Sequence, residues 1–147
     1  MKVPSDFKLH HFGVIVPNLQ LAEGLLRTLF QLPIVQGPLE DPLQKVKLLF
    51  LQAAPNVFLE LIEPIGQDSP AYGSLKQRIR FHHVCFEVPD LSGASNALQG
   101  GGALMITEPQ PASAFEGRRI AFFYLKIGMV VELLEAGTQI PHTTIHA

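Results

Sequence analysis

HHFGVIVPNL at residues 10–19 and HHVCFEVPDL at residues 82–91 decide how this chain is read. Both stretches open on paired histidines, share a valine, a proline and a leucine in step, and set Asn18 where Asp90 stands. The offset is 72 residues, 83 minus 11. A second pair keeps that offset without a gap: VFLELIE at 57–63 and MVVELLE at 129–135 align Glu60 with Glu132 and Glu63 with Glu135. Between these anchors Ala22 falls on Ala94, Leu26 on Leu98, Lys47 on Arg119 and Phe50 on Phe122. Self-similarity at a fixed period marks a duplicated supersecondary unit, so two equivalent halves are expected.

Each half reads in the same order. An apolar, β-branched run at 10–17 and 82–88 is a strand stopped by proline. Asn18 and Asp90 then stand as helix N-caps, followed by apolar spacing at Leu21, Ala22, Leu25 and Leu26, and at Ala94, Ala97 and Leu98. Three extended segments follow, near 32–37, 44–52 and 57–63 in the first half and near 103–107, 117–125 and 129–135 in the second. Each half is therefore βαβββ, and the chain is an α+β protein of one domain. Its first module covers about 8–64, a linker about 65–80, and its second module about 81–136, before a polar tail at 137–147 containing His142 and His146. Gly100-Gly101-Gly102 precedes a strand instead of opening a helix, so it reads as a helix stop and not as a phosphate cradle.

Composition narrows the function classes. The 147 residues are 47% hydrophobic with a formal net charge of -2, enough to bury a substantial core. Charges are sparse and mixed, with no basic stripe, so nucleic acid is not an expected partner. Nothing approaches the length of an apolar membrane span, and MKVPSDFKLH lacks the apolar core of a signal peptide, so a cytoplasmic protein with no membrane partner is expected. A single cysteine, Cys85, rules out multi-cysteine metal sites and suits a reducing compartment. Any metal chemistry must use histidine and carboxylate.

Strand parity brings such residues together. Alternate side chains of a strand share a face, so His11, Gly13 and Ile15 point one way, as do His83, Cys85 and Glu87, while Glu60 and Glu132 face away from Glu63 and Glu135. If the halves are related by a pseudo-two-fold axis, His11, Glu60, His83 and Glu132 meet about one point. Polar residues recurring at one offset inside apolar strands are costly unless they bind something. Nitrogen and oxygen donors without thiolate suit one divalent ion such as Co, Mn, Ni, Mg, Zn or Fe, with positions left for two neighbouring substrate oxygens. His10 and His82, of opposite parity, read as hydrogen-bonded strand residues. Glu87 is a further acid/base candidate on the His83 face, with a strand-end surface role as the alternative. Lys47 and Arg119 fit either an anionic substrate or cross-strand charge pairing.

Nearly the whole chain resembles the vicinal-oxygen-chelate superfamily, which includes glyoxalase I, methylmalonyl-CoA epimerase, extradiol dioxygenases and bleomycin-resistance proteins. It is most similar to the epimerases, through HHFGVIVPNL, ELIEPIGQDSPAYGSLKQ at 60–77, HHVCFEVPDL and VVELLE at 130–135. The resemblance implies two tandem βαβββ modules forming a curved, partly open mixed β-sheet barrel around a metal site, with His11, Glu60, His83 and Glu132 as ligands and a homodimer as the assembly. Two segments depart from the epimerase pattern. QKVKLLFL at 44–51 has Leu48 near the position where some epimerases carry an acid, and 120–129 reads IAFFYLKIGM in place of an FLHPK-type segment.

The expected activity is metal-dependent epimerisation or isomerisation: a proton is removed beside a carbonyl or thioester and the enolate is stabilised by the ion, with Glu60, Glu132 and Glu87 as the acid/base candidates. The expected substrate is an acyl-CoA, methylmalonyl-CoA first among them. A glyoxalase I-like lyase acting on a glutathione adduct is the alternative enzyme reading. A non-catalytic small-molecule binding or resistance protein is the alternative of another class.

Overall fold

The computed structural model describes residues 6–137, so the tail residues 138–147, with His142 and His146, lie outside the described part. Its elements run β1 (Lys8–Ile15), α1 (Leu19–Phe30), β2 (Ile34–Asp41), β3 (Val46–Ala54), β4 (Val57–Pro64), α2 (Tyr72–Lys76), β5 (Phe81–Val88), α3 (Leu91–Gly100), β6 (Leu104–Pro111), β7 (Arg119–Leu125) and β8 (Met129–Glu135). This is a mixed α+β fold in which βαβββ occurs twice. The chain packs as two compact units, His10–His83 and, with the start of β1, the residues from Val84 onward.

In the first unit the strand order is β2-β3-β4-β1, with β1 parallel to β4 and the other pairs antiparallel. In the second it is β5-β8-β7-β6, with β5 parallel to β8. The repeat seen in the sequence survives in the register. Gly13 stands opposite Glu60 and Cys85 opposite Glu132, while Phe50 and Phe122 flank those glutamates on the antiparallel side.

Alternation gives each set of strands two different faces. Leu49, Leu51 and Leu61 form one face of the first unit and pack with Leu19, Ala22 and Leu26 of α1. The second unit repeats this with Ala121, Phe123, Val131 and Leu133 against Leu91 and Ala94 of α3. The helices start where the caps predict: Asn18 Oδ1 accepts the Leu21 N–H at 2.9 Å, and Asp90 Oδ1 that of Gly93 at 3.1 Å. Glu63 at the end of β4 accepts the Leu19 N–H at 2.7 Å, tying the strand to the first turn of α1. The glycine run ends α3, with Gly101 as its C-cap.

The structure differs from the sequence reading in three places. Leu21 and Leu25, counted among the helix's apolar positions, are 72% and 57% exposed, because one sheet face covers only a stripe of α1. The expected strands near 32–37 and 103–107 instead run Ile34–Asp41 and Leu104–Pro111, through Pro38 and Pro109. Both end their unit's strand order, and shifts in their pairing accommodate the prolines, which a central strand would not. The segment 65–80 holds the short helix α2, and a 3-10 turn occupies Ser113–Phe115. Among the described residues no helix is long and apolar enough to cross a membrane.

Leu61→Ala, at a site 1% exposed, is expected to lower the free energy of unfolding by about 2–5 kcal/mol. Leu25→Ala should change it by no more than about 0.5 kcal/mol, both read from urea unfolding curves.

Candidate metal centre

His11, Glu60 and His83 are all buried, and all belong to the first unit. β1 carries His11, β4 carries Glu60 two register positions further along, and β5, which begins at Phe81 just after the Arg80 carbonyl has accepted the Ile15 N–H at 2.7 Å, carries His83. The Nε2 atoms of the two histidines stand 3.1 Å apart, and Glu60 Oε1 lies 3.2 Å from the first and 3.3 Å from the second.

These three atoms form a nearly equilateral triangle. Donors held at right angles by metal bonds of about 2.1 Å stand about 3.0 Å apart, and tetrahedral donors about 3.4 Å, so the triangle has the size of one face of a metal's coordination shell. The donor chemistry agrees with that size. With the imidazole protons on Nδ1, both Nε2 atoms present lone pairs that a cation can take together with the carboxylate.

Electrostatics favour positive charge at this point. Burial alone would raise the Glu60 carboxyl, but hydrogen bonds from His11 and His83 and their charge outweigh it and hold the group at about 2. Glu60 therefore stays anionic inside the protein.

Each double histidine has a structural reason. A histidine that gives Nε2 to a metal keeps its proton on Nδ1, and that N–H needs an acceptor. Nδ1 of His11 lies 2.8 Å from Nδ1 of His10, and Nδ1 of His83 lies 2.7 Å from that of His82. The Phe50 ring meets His11 edge-on, 5.1 Å between centroids, and limits its rotation. The sequence reading of His10 and His82 as hydrogen-bonded strand residues holds; the structure adds that the partner of each is the buried histidine next to it.

The other residues singled out by sequence lie as follows. Glu132 is buried on β8 of the second unit, opposite Cys85 and Phe122, the place that Glu60 holds in the first. Cys85 is fully buried. Glu87 is half-buried and accepts a hydrogen bond from Arg118 at 3.0 Å. Arg119 pairs with Glu135 through two nitrogens, at 3.2 and 3.0 Å, which lowers the carboxyl of Glu135 and accounts for the guanidinium by cross-strand pairing. Lys47 stands opposite Glu63 and Glu40 in the strand register. On β3 the residues sharing the face of Glu60 are Val46, Leu48, Phe50 and Gln52, so this strand offers that face no ionisable group.

Replacing His10 or His82 by alanine leaves the donors in place but removes an acceptor, and each variant is expected to bind divalent metal about 10–100-fold more weakly in chelator competition.

The sequence profile of the glyoxalase/bleomycin resistance protein/dioxygenase superfamily matches residues 10–122. The ethylmalonyl-CoA/methylmalonyl-CoA epimerase of Cereibacter sphaeroides is 31% identical over 130 residues, covering 86% of this chain and 96% of that protein. The crystal structure of methylmalonyl-CoA epimerase from Mycobacterium tuberculosis has the same fold, with a TM-score of 0.80 over 93% of each chain at 22% identity. A Streptomyces coelicolor methylmalonyl-CoA epimerase in complex with 2-nitronate-propionyl-CoA matches with a TM-score of 0.78 over 91% of this chain and all of the other (100%), at 20% identity. Together with the paired histidines and the buried glutamate, the matched profile and the identity to the Cereibacter protein make this chain a member of the glyoxalase/bleomycin resistance protein/dioxygenase superfamily.

Proposed function

We propose that this protein is a metal-dependent epimerase of acyl-CoA thioesters, with one divalent ion held by His11, Glu60, His83 and Glu132. The observation that carries the reading is the buried triangle of His11 Nε2, His83 Nε2 and Glu60 Oε1, with edges of 3.1–3.3 Å. Glu132 is the fourth ligand by the logic of the repeat: it is buried like the other three and holds in the second module the position of Glu60. The substrate class is supported by the Cereibacter relative, whose name gives ethylmalonyl-CoA and methylmalonyl-CoA.

When bound, the ion polarises a substrate carbonyl and offsets the negative charge that develops as the neighbouring proton leaves. The chain's own residues do the rest. Two carboxylates balance the charge of a divalent ion, so the site stays near neutral in a buried setting. His10 and His82 orient the ligand imidazoles. Proton transfer falls to the carboxylates of this face, Glu60, Glu132 and Glu87, since β3 supplies none. Arg118 fixes the position of the Glu87 side chain through a hydrogen bond of 3.0 Å.

A glyoxalase-type isomerisation of a thiol adduct is the second reading, favoured by one observation. Leu48 and its neighbours leave the β3 side of Glu60 without an acid, and moving a proton between adjacent carbons on one side of a substrate needs fewer bases than inverting a centre. We further propose a cytoplasmic location, supported by the single cysteine, and a homodimer, supported by the superfamily resemblance.

The test is metal content and hydrogen exchange. Tag-free protein is expected to carry one divalent ion per chain by elemental analysis, and His83→Ala and Glu132→Ala to carry none. In deuterated water the wild type should wash the α-hydrogen out of methylmalonyl-CoA or ethylmalonyl-CoA, and a chelator should stop it. Exchange with a glutathione hemithioacetal and with no acyl-CoA moves the assignment to the second reading. A chain that takes up no cobalt, manganese or nickel sinks both. A metal-loaded Glu87→Gln variant assigns proton transfer: lost exchange places it on Glu87, retained exchange on Glu60 or Glu132.

A further inference from the structure

We infer that Gly13 is a positioning residue of the metal centre, and that the space left by its missing side chain is where the His83 imidazole lies. The inference deepens the reading of His11, Glu60 and His83 as ligands and rests on it.

Glycine in the middle of a strand is ordinarily unfavourable, because it gives up the most backbone freedom and has nothing to pack. Gly13 sits within β1 and is not among the described residues with positive φ, so the backbone does not require it. The surroundings do. A methyl group at position 13 would stand 2.3 Å from Cε1, 2.6 Å from Nδ1 and 2.9 Å from Nε2 of His83. Three atoms of one rigid ring fall inside contact distance, so the ring lies against the bare backbone and cannot yield by bending a flexible end.

Its place in the strands makes this consequential. Gly13 stands opposite Glu60 in the β1–β4 register and two residues beyond His11, so one position adjoins all three donors. Any side chain there pushes Nε2 of His83 away from both His11 and Glu60. The repeat itself does not ask for glycine: the equivalent residue of the second half is Cys85. The loss of a side chain at position 13 alone is what a close approach by the His83 ring would require.

The test compares wild type, Gly13→Ala, His83→Ala, the double variant, and Gly24→Ala as a control whose added methyl would have nothing within 4 Å. Cobalt(II) is titrated into each, reading affinity and the visible absorption bands, and thermal unfolding is followed in chelator. Gly13→Ala is expected to bind cobalt at least about tenfold more weakly, with altered bands, while Gly24→Ala behaves as wild type. In chelator, Gly13→Ala should lower the unfolding temperature when His83 is present and have little effect when His83 is alanine. Wild-type cobalt binding by Gly13→Ala, or an equal loss of stability in both backgrounds, overturns the inference. If Gly13→Ala does not fold, a folded double variant supports the clash with His83 and an unfolded one overturns it. If wild type itself takes up no cobalt, the ligand reading fails, and the unfolding cycle still decides whether positions 13 and 83 are coupled.

Discussion

The approach of two imidazoles and one carboxylate out of water, to about 3.2 Å of one another, is the constraint around which this protein is arranged. Removing a carboxylate from water costs several kcal/mol unless charge or hydrogen bonds replace the solvent. Here His11 and His83 provide that replacement, which is why Glu60 is held so far toward its anion. The same grouping has the donor types and the spacing that a cation site requires. Stability of the unloaded chain and affinity for a metal thus draw on the same atoms.

The strands reconcile this polar cluster with an apolar core by keeping the two on opposite faces. Odd positions such as Leu49, Leu51 and Leu61 meet α1, and even positions such as Phe50, Glu60 and Ile62 face the site side. A one-residue slip of β4 against β1 would turn Glu60 onto the helix face and Leu61 toward the histidines, so the register is specified by both faces at once. Glu63 illustrates the separation, since three residues after Glu60 it caps the first turn of α1.

Much of the site was legible from spacing. Paired histidines and a recurring glutamate at one offset identified His11, Glu60, His83 and Glu132, because a duplicated unit repeats the few positions whose chemistry it cannot vary. The roles of neighbours were not legible. His10 and His82 have the wrong strand parity to face the ligands' side, and only the folded backbone brings their Nδ1 atoms beside those of His11 and His83. Strand parity put Gly13 on the face of His11 and said nothing more of it; the position of the His83 ring is what gives its missing side chain a meaning. Leu21 and Leu25 matched the helix period yet lie outside the buried stripe, since periodicity reports that a helix has an apolar side without stating how much of it a sheet will cover.

By itself the sequence determined the duplicated βαβββ order, the two helix caps and which histidines and glutamates recur at one offset, all of which depend on local spacing and side-chain chemistry. Tertiary structure decided the strand order, the pairing of Gly13 with Glu60, the shifts that carry β2 and β6 past their prolines, and the arrival of His83 beside His11. The physical reason is range. Caps and strand parity act over a few residues, whereas a triangle of side-chain atoms drawn from residues 11, 60 and 83 exists only when non-local strand pairing brings distant parts of the chain within about 3.3 Å of one another.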